Sequence, residues 1–285
     1  MTAPVKEPVT APAEAKSGMT KKQRTTIIRT VQYAIIVIII VIIAIIGNWS
    51  VFREDFLNWH QMGQILPRML KEGLKNTLIY TVTSFIYGLV LGLIIALMRL
   101  SQVRLYRWIG TVYVEIFRGL PALLVLYLLN FGLPDLFGNN ALLGNFYILV
   151  TLGLGTVASA YMAETIRAGI QAVPKGQMEA ARTLGMPPGR AMRSIILPQA
   201  FRIIIPPLTN EIILLVKDSS LVYALGVGAG QLELTNLSNA AATGGITGID
   251  SGSSPLILAG LCYLIITLPL SQAVRYLERK QEKRR

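Results

Sequence analysis

The stretch EAARTLGMPPGRAMRSIILP, from Glu179 to Pro198, decides how the rest of this sequence is organised. It is basic, polar and rich in alanine, and it lies between two apolar segments that are each long enough to enter a bilayer. A polar insert with the composition of a helix has to lie outside the membrane. We therefore expect residues 174–198 to project from an apolar bundle and to be held by something beyond the bilayer.

The residue types in this stretch predict two short helices that meet at a bend. Pro174 can open the first helix, because the first helical turn leaves the N–H of that position unpaired in any case. Gly185 follows a run of good helix formers and is the residue type expected where a chain leaves a helix with positive φ. Pro187 and Pro188 can then open a second helix, which we expect to end before Pro198.

Seven positions of the stretch fall at fixed intervals: Glu179, Ala180, Ala181, Gly185, Ile195, Leu197 and Pro198. This spacing resembles the EAA signature of the permease subunits of ATP-binding-cassette (ABC) importers. In that family the elbow is a coupling helix that inserts into a cleft of a separate cytoplasmic ATPase, so the resemblance assigns ATPase coupling to these seven residues. The alternative is a solvated amphipathic hairpin whose spacing matches by accident.

Composition indicates an integral membrane protein. Of the 285 residues, 53% are hydrophobic and 15% are charged, and the apolar residues come in blocks of membrane-spanning length. The net charge of +12 could suggest a nucleic-acid ligand, but the Lys and Arg residues flank the apolar blocks, as the positive-inside rule requires. The charge therefore reports topology, and we expect membrane lipid, and no nucleic acid, as a partner.

The sequence offers no constellation for catalysis, a metal or a cofactor. Cys262 is the single cysteine and His60 the single histidine, so neither an intrachain disulfide nor a Cys/His metal site is supported. No Gly-Lys dipeptide occurs, so the phosphate-binding loop of an ATPase is absent. We expect a chain that is not an enzyme and has no cofactor; if ATP drives it, another chain binds the nucleotide.

Hydropathy predicts an all-α fold class, a polytopic membrane bundle of six transmembrane helices. The predicted spans are residues 30–52, 76–98, 109–130, 141–163, 203–216 and 255–274. The flanking segments are predicted as a disordered cytoplasmic tail, an amphipathic segment along the outer membrane surface and a basic cytoplasmic tail, at 1–29, 53–75 and 275–285. Residues 76–274 form one transmembrane domain that carries the elbow, 174–198, on its cytoplasmic side.

The distribution of basic residues predicts the orientation. Of the 27 Lys and Arg residues, 21 fall in the four segments that six spans would place in the cytoplasm. Both termini and the elbow are therefore expected on the ATP side. The fifth span begins with Pro206 and Pro207, so it should be kinked or partly unwound, and the apolar run that follows it should dip back into the membrane.

Charged residues inside or beside the spans are candidates for the translocation path, because such charges are costly unless they are paired or wet. Glu115 and Arg118 share one helix face and can form an ion pair, either as a structural pair or as a gate of the path. Glu164 and Arg167 repeat this spacing. A polar group ends the fifth span: Asn210, Glu211, Lys217, Asp218, Ser219 and Ser220. Its alternative role is a helix terminus capped by Asp218 and Ser219.

Three further stretches resemble permeases for polar amino acids: EIFRGLP, YMAETIRAGIQAVPKGQMEAA and NEIILLVKDSSL. The resemblance covers about residues 70–276 and implies the type I importer fold, with five core helices to which this chain adds one at its N-terminus. Pro187 and Pro188 stand where relatives often have Ser or Thr, a departure that leaves the Glu, Gly and Pro of the elbow untouched.

The resemblance also implies an assembly and a location. Its expected members are two copies of an ABC ATPase, a second permease that is identical or homologous, an extracytoplasmic solute-binding protein and an amino-acid substrate of the glutamate or glutamine type. The expected location is the cytoplasmic membrane of a bacterium. The rival hypothesis is a secondary transporter or channel that uses Glu115, Arg118 and Glu211 as an ion relay; it predicts transport without an ATPase.

Overall fold

The computed structural model describes residues 21–138, 144–228, 230–249 and 251–282, and within those ranges no strand occurs. Helices account for the fold: α1 Lys21–Ile46, α2 Trp49–Phe56, α3 Trp59–Arg68, α4 Leu74–Leu100, α5 Arg104–Gly119, α6 Ala122–Phe137, α7 Phe146–Gln171, α8 Lys175–Thr183, α9 Pro188–Ala191, α10 Leu197–Asp218, α11 Leu234–Ala242 and α12 Ser254–Glu282. Two π-helical turns, Met69–Gly73 and Met192–Ile196, and a 3-10 helix, Ser219–Leu225, connect some of them. The chain divides into two compact units, Met1–Phe52 and Arg53–Arg285.

Helix α1 is the main element of the first unit. It has 26 residues, none of them buried, and its isoleucine-rich stretch is apolar on every side, as expected of a helix surrounded by lipid. The helix begins at Lys21, so residues 21–29, which we assigned to a disordered tail, are helical. Lys, Gln, Arg and Thr side chains do not oppose a helix that the isoleucine run then extends. Residues 1–20 lie outside the described ranges.

The described ranges contain five helices that are long and apolar enough to cross a membrane, or six when the bent pair α5–α6 counts as one span. This agrees with the six spans predicted. The third span is nevertheless not the straight helix expected at 109–130, because α5 and α6 meet at 106°. Pro121 causes the break: the residue before a proline avoids the helical region, and Leu120 is extended, with φ −86° and ψ 142°.

Helices α4 and α7 form the centre of the second unit and approach each other through small residues. A Cβ atom on Gly92 of α4 would lie 2.9 Å from the Ser159 carbonyl oxygen, and one on Gly88 would lie 3.0 Å from that of Gly155. Glycine at these positions lets the two backbones touch, which is how membrane helices gain packing energy without a hydrophobic driving force. Tyr80 lies fully buried in the cluster built on this pair.

Contacts at the two ends of α4 and α7 show that the helices run in the same direction. At their first turns the Tyr147 hydroxyl donates to the Asn76 Oδ1 atom at 3.1 Å. Near the other ends, Arg99 in the last turn of α4 is paired with Glu164, two turns before the end of α7. The elbow, which follows α7, therefore lies at the end of the bundle opposite the amphipathic segment 53–75, as the predicted topology requires.

The amphipathic segment continues into α4 through the π-helical turn. Of its apolar stripe, Ile65 and Met69 are buried against residues of α11 and α12, and Met62 is buried as well. Trp59 remains 75% exposed. The prediction that the whole stripe lies on the membrane is thus wrong for its buried half, because α12 and α11, a helix that the sequence analysis did not predict, together cover that half.

Helix α10 corrects two local predictions. Of the kink or partial unwinding predicted at Pro206 and Pro207, the unwinding is absent, because α10 is helical from Leu197 to Asp218. The segment that starts at Pro188 runs into α10 instead of ending before Pro198. A proline removes one backbone donor, and burial of Pro206 with its neighbours on α10 holds the segment helical. Pro198 falls in the first turn of α10, directly after the π-helical turn Met192–Ile196.

Candidate functional site: the elbow and the polar groups behind it

The elbow bends where the sequence predicted. Helix α8 ends at Thr183, and Gly185 has φ +82°. The Gly185 N–H donates to the Arg182 carbonyl at 3.0 Å and the Met186 N–H to the Ala181 carbonyl at 3.1 Å, the pair of bonds that closes a Schellman motif. This closure fixes the direction in which the chain leaves α8, and α9 begins at Pro188.

The inner face of the elbow packs on the bundle. Ala181 and Ala191 are buried, and Met178 packs against a cluster that contains Ile196 and Ala200. Ile195 is half-buried in the same contact and Leu197 is half-buried beside it. The second arm continues as helix into α10, so the elbow and α10 form a single helical element.

The outer face of the elbow is exposed. Glu179, Ala180, Gly185 and Pro198 all lie on the surface. The Glu179 side chain makes neither an ion pair nor a hydrogen bond within the described residues. The EAA motif therefore divides into a buried anchor, Ala181, and exposed groups available to another protein.

Leu184 is the residue that sequence analysis missed. It was counted as a helix former, yet its side chain is 83% exposed at the tip of the elbow, next to Gly185. Arg182 and Arg190, close to it in the chain, are exposed as well. An exposed apolar side chain in a basic segment is suited to contact with another protein. A large apolar residue directly before a glycine C-cap was the available signal.

Arg99, Glu164 and Arg167 form a three-residue ion network. Glu164 and Arg167 are paired as their spacing predicted, and Arg99 binds the same carboxylate from α4. The Arg167 Nη1 atom also donates to the Gln171 Oε1 atom at 2.6 Å. The network therefore joins the last turn of α4 to the final two turns of α7.

Glu115 and Arg118 are not paired, contrary to our expectation. The Arg118 guanidinium lies 5.3 Å from the ring centroid of Tyr161, in cation–π geometry, and Glu115 is exposed without a partner in the part of the chain that the structure describes. Arg118 occupies the last turn of α5, just before the bend at Pro121, and from there it reaches the neighbouring helix.

A cavity of about 380 Å³ joins several of these groups. Arg118, Tyr161 and Glu164 line it on one side, and Ile203 and Pro207 of α10 line it on the other. It combines a cation, a carboxylate and an aromatic face within an otherwise apolar wall. Such a composition suits a small zwitterion, whose two charged groups need partners of opposite sign.

The polar group at the end of α10 does not line this cavity. Glu211 and Asp218 are half-buried two helical turns apart on one face, whereas Asn210 and Lys217 are exposed. The Ser219 hydroxyl donates to the Val216 carbonyl at 2.8 Å, so Ser219 supports the helix end, as the capping alternative anticipated.

The other half of the capping alternative is not found. Asp218 makes no capping hydrogen bond, and Ser220 is half-buried. The structure therefore separates two polar regions that the sequence analysis treated together.

Glu233 is a buried carboxylate that lies outside the membrane spans. The sequence analysis did not select it as a candidate. Its two oxygens accept hydrogen bonds from the N–H groups of Thr235 and Asn236, both at 2.7 Å, and so cap α11. The Tyr263 hydroxyl donates to it at 2.7 Å. Burial raises the pKa of Glu233 above its ordinary value, although these hydrogen bonds lower it. Within the described ranges no group of three His, Cys, Asp or Glu side chains could hold a metal.

Replacing Glu164 with glutamine is expected to lower the stability of the folded bundle by about 1–2 kcal/mol, because one carboxylate serves two arginines. The matched change Glu115→Gln removes an exposed carboxylate without a partner and should stay within about 0.5 kcal/mol. Thermal unfolding of both variants in the same detergent is the measurement. Equal stability of the two variants would contradict the structural role of the network.

Comparison with known proteins places the chain among transport components. A family model described as "Binding-protein-dependent transport system inner membrane component" matches residues 88–283. The probable glutamine ABC transporter permease protein GlnM of Bacillus subtilis is 42% identical over 75% of this chain and 94% of its own length. The arginine transport system permease protein ArtQ of the same organism is 40% identical over 73% of this chain and 90% of its own length.

Solved structures of ABC transporters resemble this chain as well. A chain from the crystal structure of an amino acid ABC transporter with histidines superposes with a TM-score of 0.67, at 34% identity, over 79% of this chain and 98% of its own length. A chain of the MetNI methionine ABC transporter superposes with a TM-score of 0.53 at 24% identity, over 76% of this chain and 97% of its own length, a likeness that concerns the fold alone.

Proposed function

This chain belongs to the family of binding-protein-dependent transport inner-membrane components, as an amino-acid ABC importer permease, and we propose that it imports a polar amino acid of the glutamate or glutamine type. Permeases of this family are transport subunits and not enzymes. The observation that carries the proposal is the elbow: a bent arm, closed by a glycine C-cap, anchored on its inner face and exposed on its outer face.

In this proposal the elbow receives force from a separate ATPase. Its exposed tip, Leu184 beside Gly185, would enter a cleft of that subunit, and Glu179 and Ala180 would lie along the contact. Closure of two ATPase subunits would move the elbows of two permeases, and α10 would carry the motion into the bundle. Orientation follows from the same premise: the elbow, both termini and most basic residues would face the cytoplasm of a bacterial cell.

The cavity beside Arg118 is the proposed part of the translocation path. The cation would attract the carboxylate of an amino acid, and the Tyr161 ring and the apolar wall would exclude water around it. Glu211 and Asp218, further along α10, would meet the solute nearer the other end of the bundle. Glu164 and Arg167 would border the path while they hold α4 and α7 together.

The relatives support a polar amino acid as the substrate. Their names refer to glutamine, arginine, cystine, and glutamate or aspartate. Side chains with uncharged or acidic ends fit best beside Arg118, which is why we propose the glutamate or glutamine type. A second permease, copied or homologous, and an extracytoplasmic solute-binding protein complete the proposed assembly within the lipid bilayer.

The proposal is tested by reconstitution. The chain is purified with the subunits that accompany it, placed in liposomes with ATP on the elbow side, and supplied with its solute-binding protein on the other side. We expect uptake of labelled glutamine or glutamate that stops when ATP is replaced by ADP. Uptake that persists without the ATPase and follows an ion gradient would support a secondary transporter and overturn the proposal.

A further inference from the structure

A positively charged cleft lies at the end of the second unit opposite the elbow. It has a volume of about 530 Å³ and is lined by the start of α4, the segment before it and the turn at Gly230. Arg68, Lys71 and Lys75 are the cations in its wall, and Glu72 is the acid. The cleft shares no residue with the cavity beside Arg118 and does not belong to the translocation path described above.

Two of these cations are unused. Arg68 pairs with Glu72 at 3.0 Å, one helical turn away. Lys71 and Lys75 are exposed and have neither an ion pair nor a hydrogen bond within the part of the chain that the structure describes. The three basic residues follow one another at about one per turn, so they share a face. The face therefore presents two free ammonium groups beside a guanidinium.

The opposite wall of the cleft is fixed to the bundle. The Gly230 N–H donates to the Glu72 Oε1 atom at 3.1 Å, and the Gly230 carbonyl accepts from Asn76 at 3.1 Å. The Tyr147 hydroxyl lies 3.2 Å from the same carbonyl and shares its single proton between that oxygen and the Asn76 Oδ1 atom. These bonds tie the Gly230 turn to the first turns of α4 and α7. A ligand in the cleft would thus touch the first turn of α4 and the Gly230 turn, which contacts Tyr147 of α7.

We propose that Arg68, Lys71 and Lys75 form a docking site for acidic side chains on the extracytoplasmic solute-binding protein. The inference rests on the proposed function, which places this end of the bundle where the solute arrives. Unpaired ammonium groups in a concave wall suit carboxylates that project from a folded partner. The polar Gly230 backbone and the Asn76 amide in the other wall fit a protein surface better than acyl chains.

Docking would also reach the bundle. A partner carboxylate that binds Arg68 competes with Glu72, and Glu72 holds the Gly230 turn through its other oxygen. The cleft therefore connects the arrival of the binding protein with the turn that is fixed on α4 and α7.

The test uses the full complex with its ATPase in nanodiscs and the solute-binding protein of the same system as the probe. The double variant K71E/K75E is expected to raise the Kd at least about tenfold at low salt, because attraction becomes repulsion. The neutral variant K71M/K75M should lie in between. Raising NaCl from about 50 to about 500 mM should weaken wild-type binding and remove most of the difference, since salt screens exposed charges.

The matched control is R53E, which reverses an exposed charge in the same outer segment without lining the cleft. It should keep the Kd within about twofold of the wild type. Restored binding of K71E/K75E by a binding protein with an acidic residue changed to lysine would support direct contact. Wild-type affinity of K71E/K75E, or an equal loss in R53E, would overturn the inference.

Lipid retention and wild-type uptake also decide whether the docking site exists. If K71E/K75E binds the solute-binding protein normally but retains less phosphatidylglycerol in native mass spectrometry, the cleft is a lipid site and the inference fails. Uptake by the wild-type complex separates this failure from that of the proposed function. A wild type that transports amino acid while K71E/K75E binds normally refutes the docking site alone, whereas a wild type that neither transports nor binds refutes both.

Discussion

Replacing Gly185 with leucine is expected to reduce ATP-driven uptake at least tenfold while the protein stays folded in the membrane. Gly185 has φ +82°, where a side chain costs about 1–2 kcal/mol, although nothing lies within 4 Å of the position that a Cβ would take. The elbow can relieve that strain by changing its bend, and a penalty of about 1.4 kcal/mol reduces the docked population about tenfold. The measurement is uptake together with ATPase stimulation.

Two companion variants show whether backbone strain is the cause. Gly189→Leu places the same side chain in the second arm, where there is also open space and φ is not positive, so uptake should stay near the wild-type rate. Gly185→Asn should retain much of the uptake, because asparagine tolerates the left-handed region. Wild-type transport and ATPase stimulation in Gly185→Leu would refute the coupling role of the bend.

Replacing Gly155 with leucine is expected to destabilise the bundle by about 3 kcal/mol or more. A Cβ at this position would lie 2.9 Å from the Ser84 carbonyl oxygen and 2.5 Å from the Tyr87 ring. The Ser84 oxygen belongs to the backbone of α4 and cannot move without separating the two central helices. The measurement is the thermal unfolding midpoint and the yield of monodisperse protein in detergent.

Gly260→Leu is the control for this change. Gly260 lies in α12, another predicted span, and nothing is found within 4 Å of its Cβ position. The added leucine should therefore leave the unfolding midpoint close to that of the wild type. If Gly155→Leu unfolds at the same temperature as Gly260→Leu, close packing of α4 and α7 does not determine the stability of the bundle.

Local chemistry made the elbow predictable. A proline can open a helix because the N–H it lacks would be unpaired, and a glycine ends one because only it adopts positive φ without strain. Both rules involve residues close together in the chain, which is why the bend at Gly185 was placed correctly. The rules failed at Pro198, where packing of neighbouring residues carried the helix onward.

Charge pairing was predictable only where both partners lie on one helix. The spacing of Glu164 and Arg167 indicated their contact, but Arg99 stands 65 residues away and was not identified as a partner. The spacing of Glu115 and Arg118 was equally suitable for an ion pair, yet the Arg118 guanidinium lies over the ring of Tyr161 on another helix. A cation can pair with any group that the fold brings near it. Sequence spacing identifies only the possible partners on the same helix.

The sequence by itself determined the membrane class, the six spans and the position and bend of the elbow, because hydropathy, basic flanks and helix-ending residues act locally. Only the tertiary structure decided that α4 and α7 touch through glycines, that α11 and α12 cover half of the amphipathic stripe, and that Lys71 and Lys75 share a cleft with Gly230. These features join residues distant in the chain, and their energies depend on which surfaces the folded helices bring into contact.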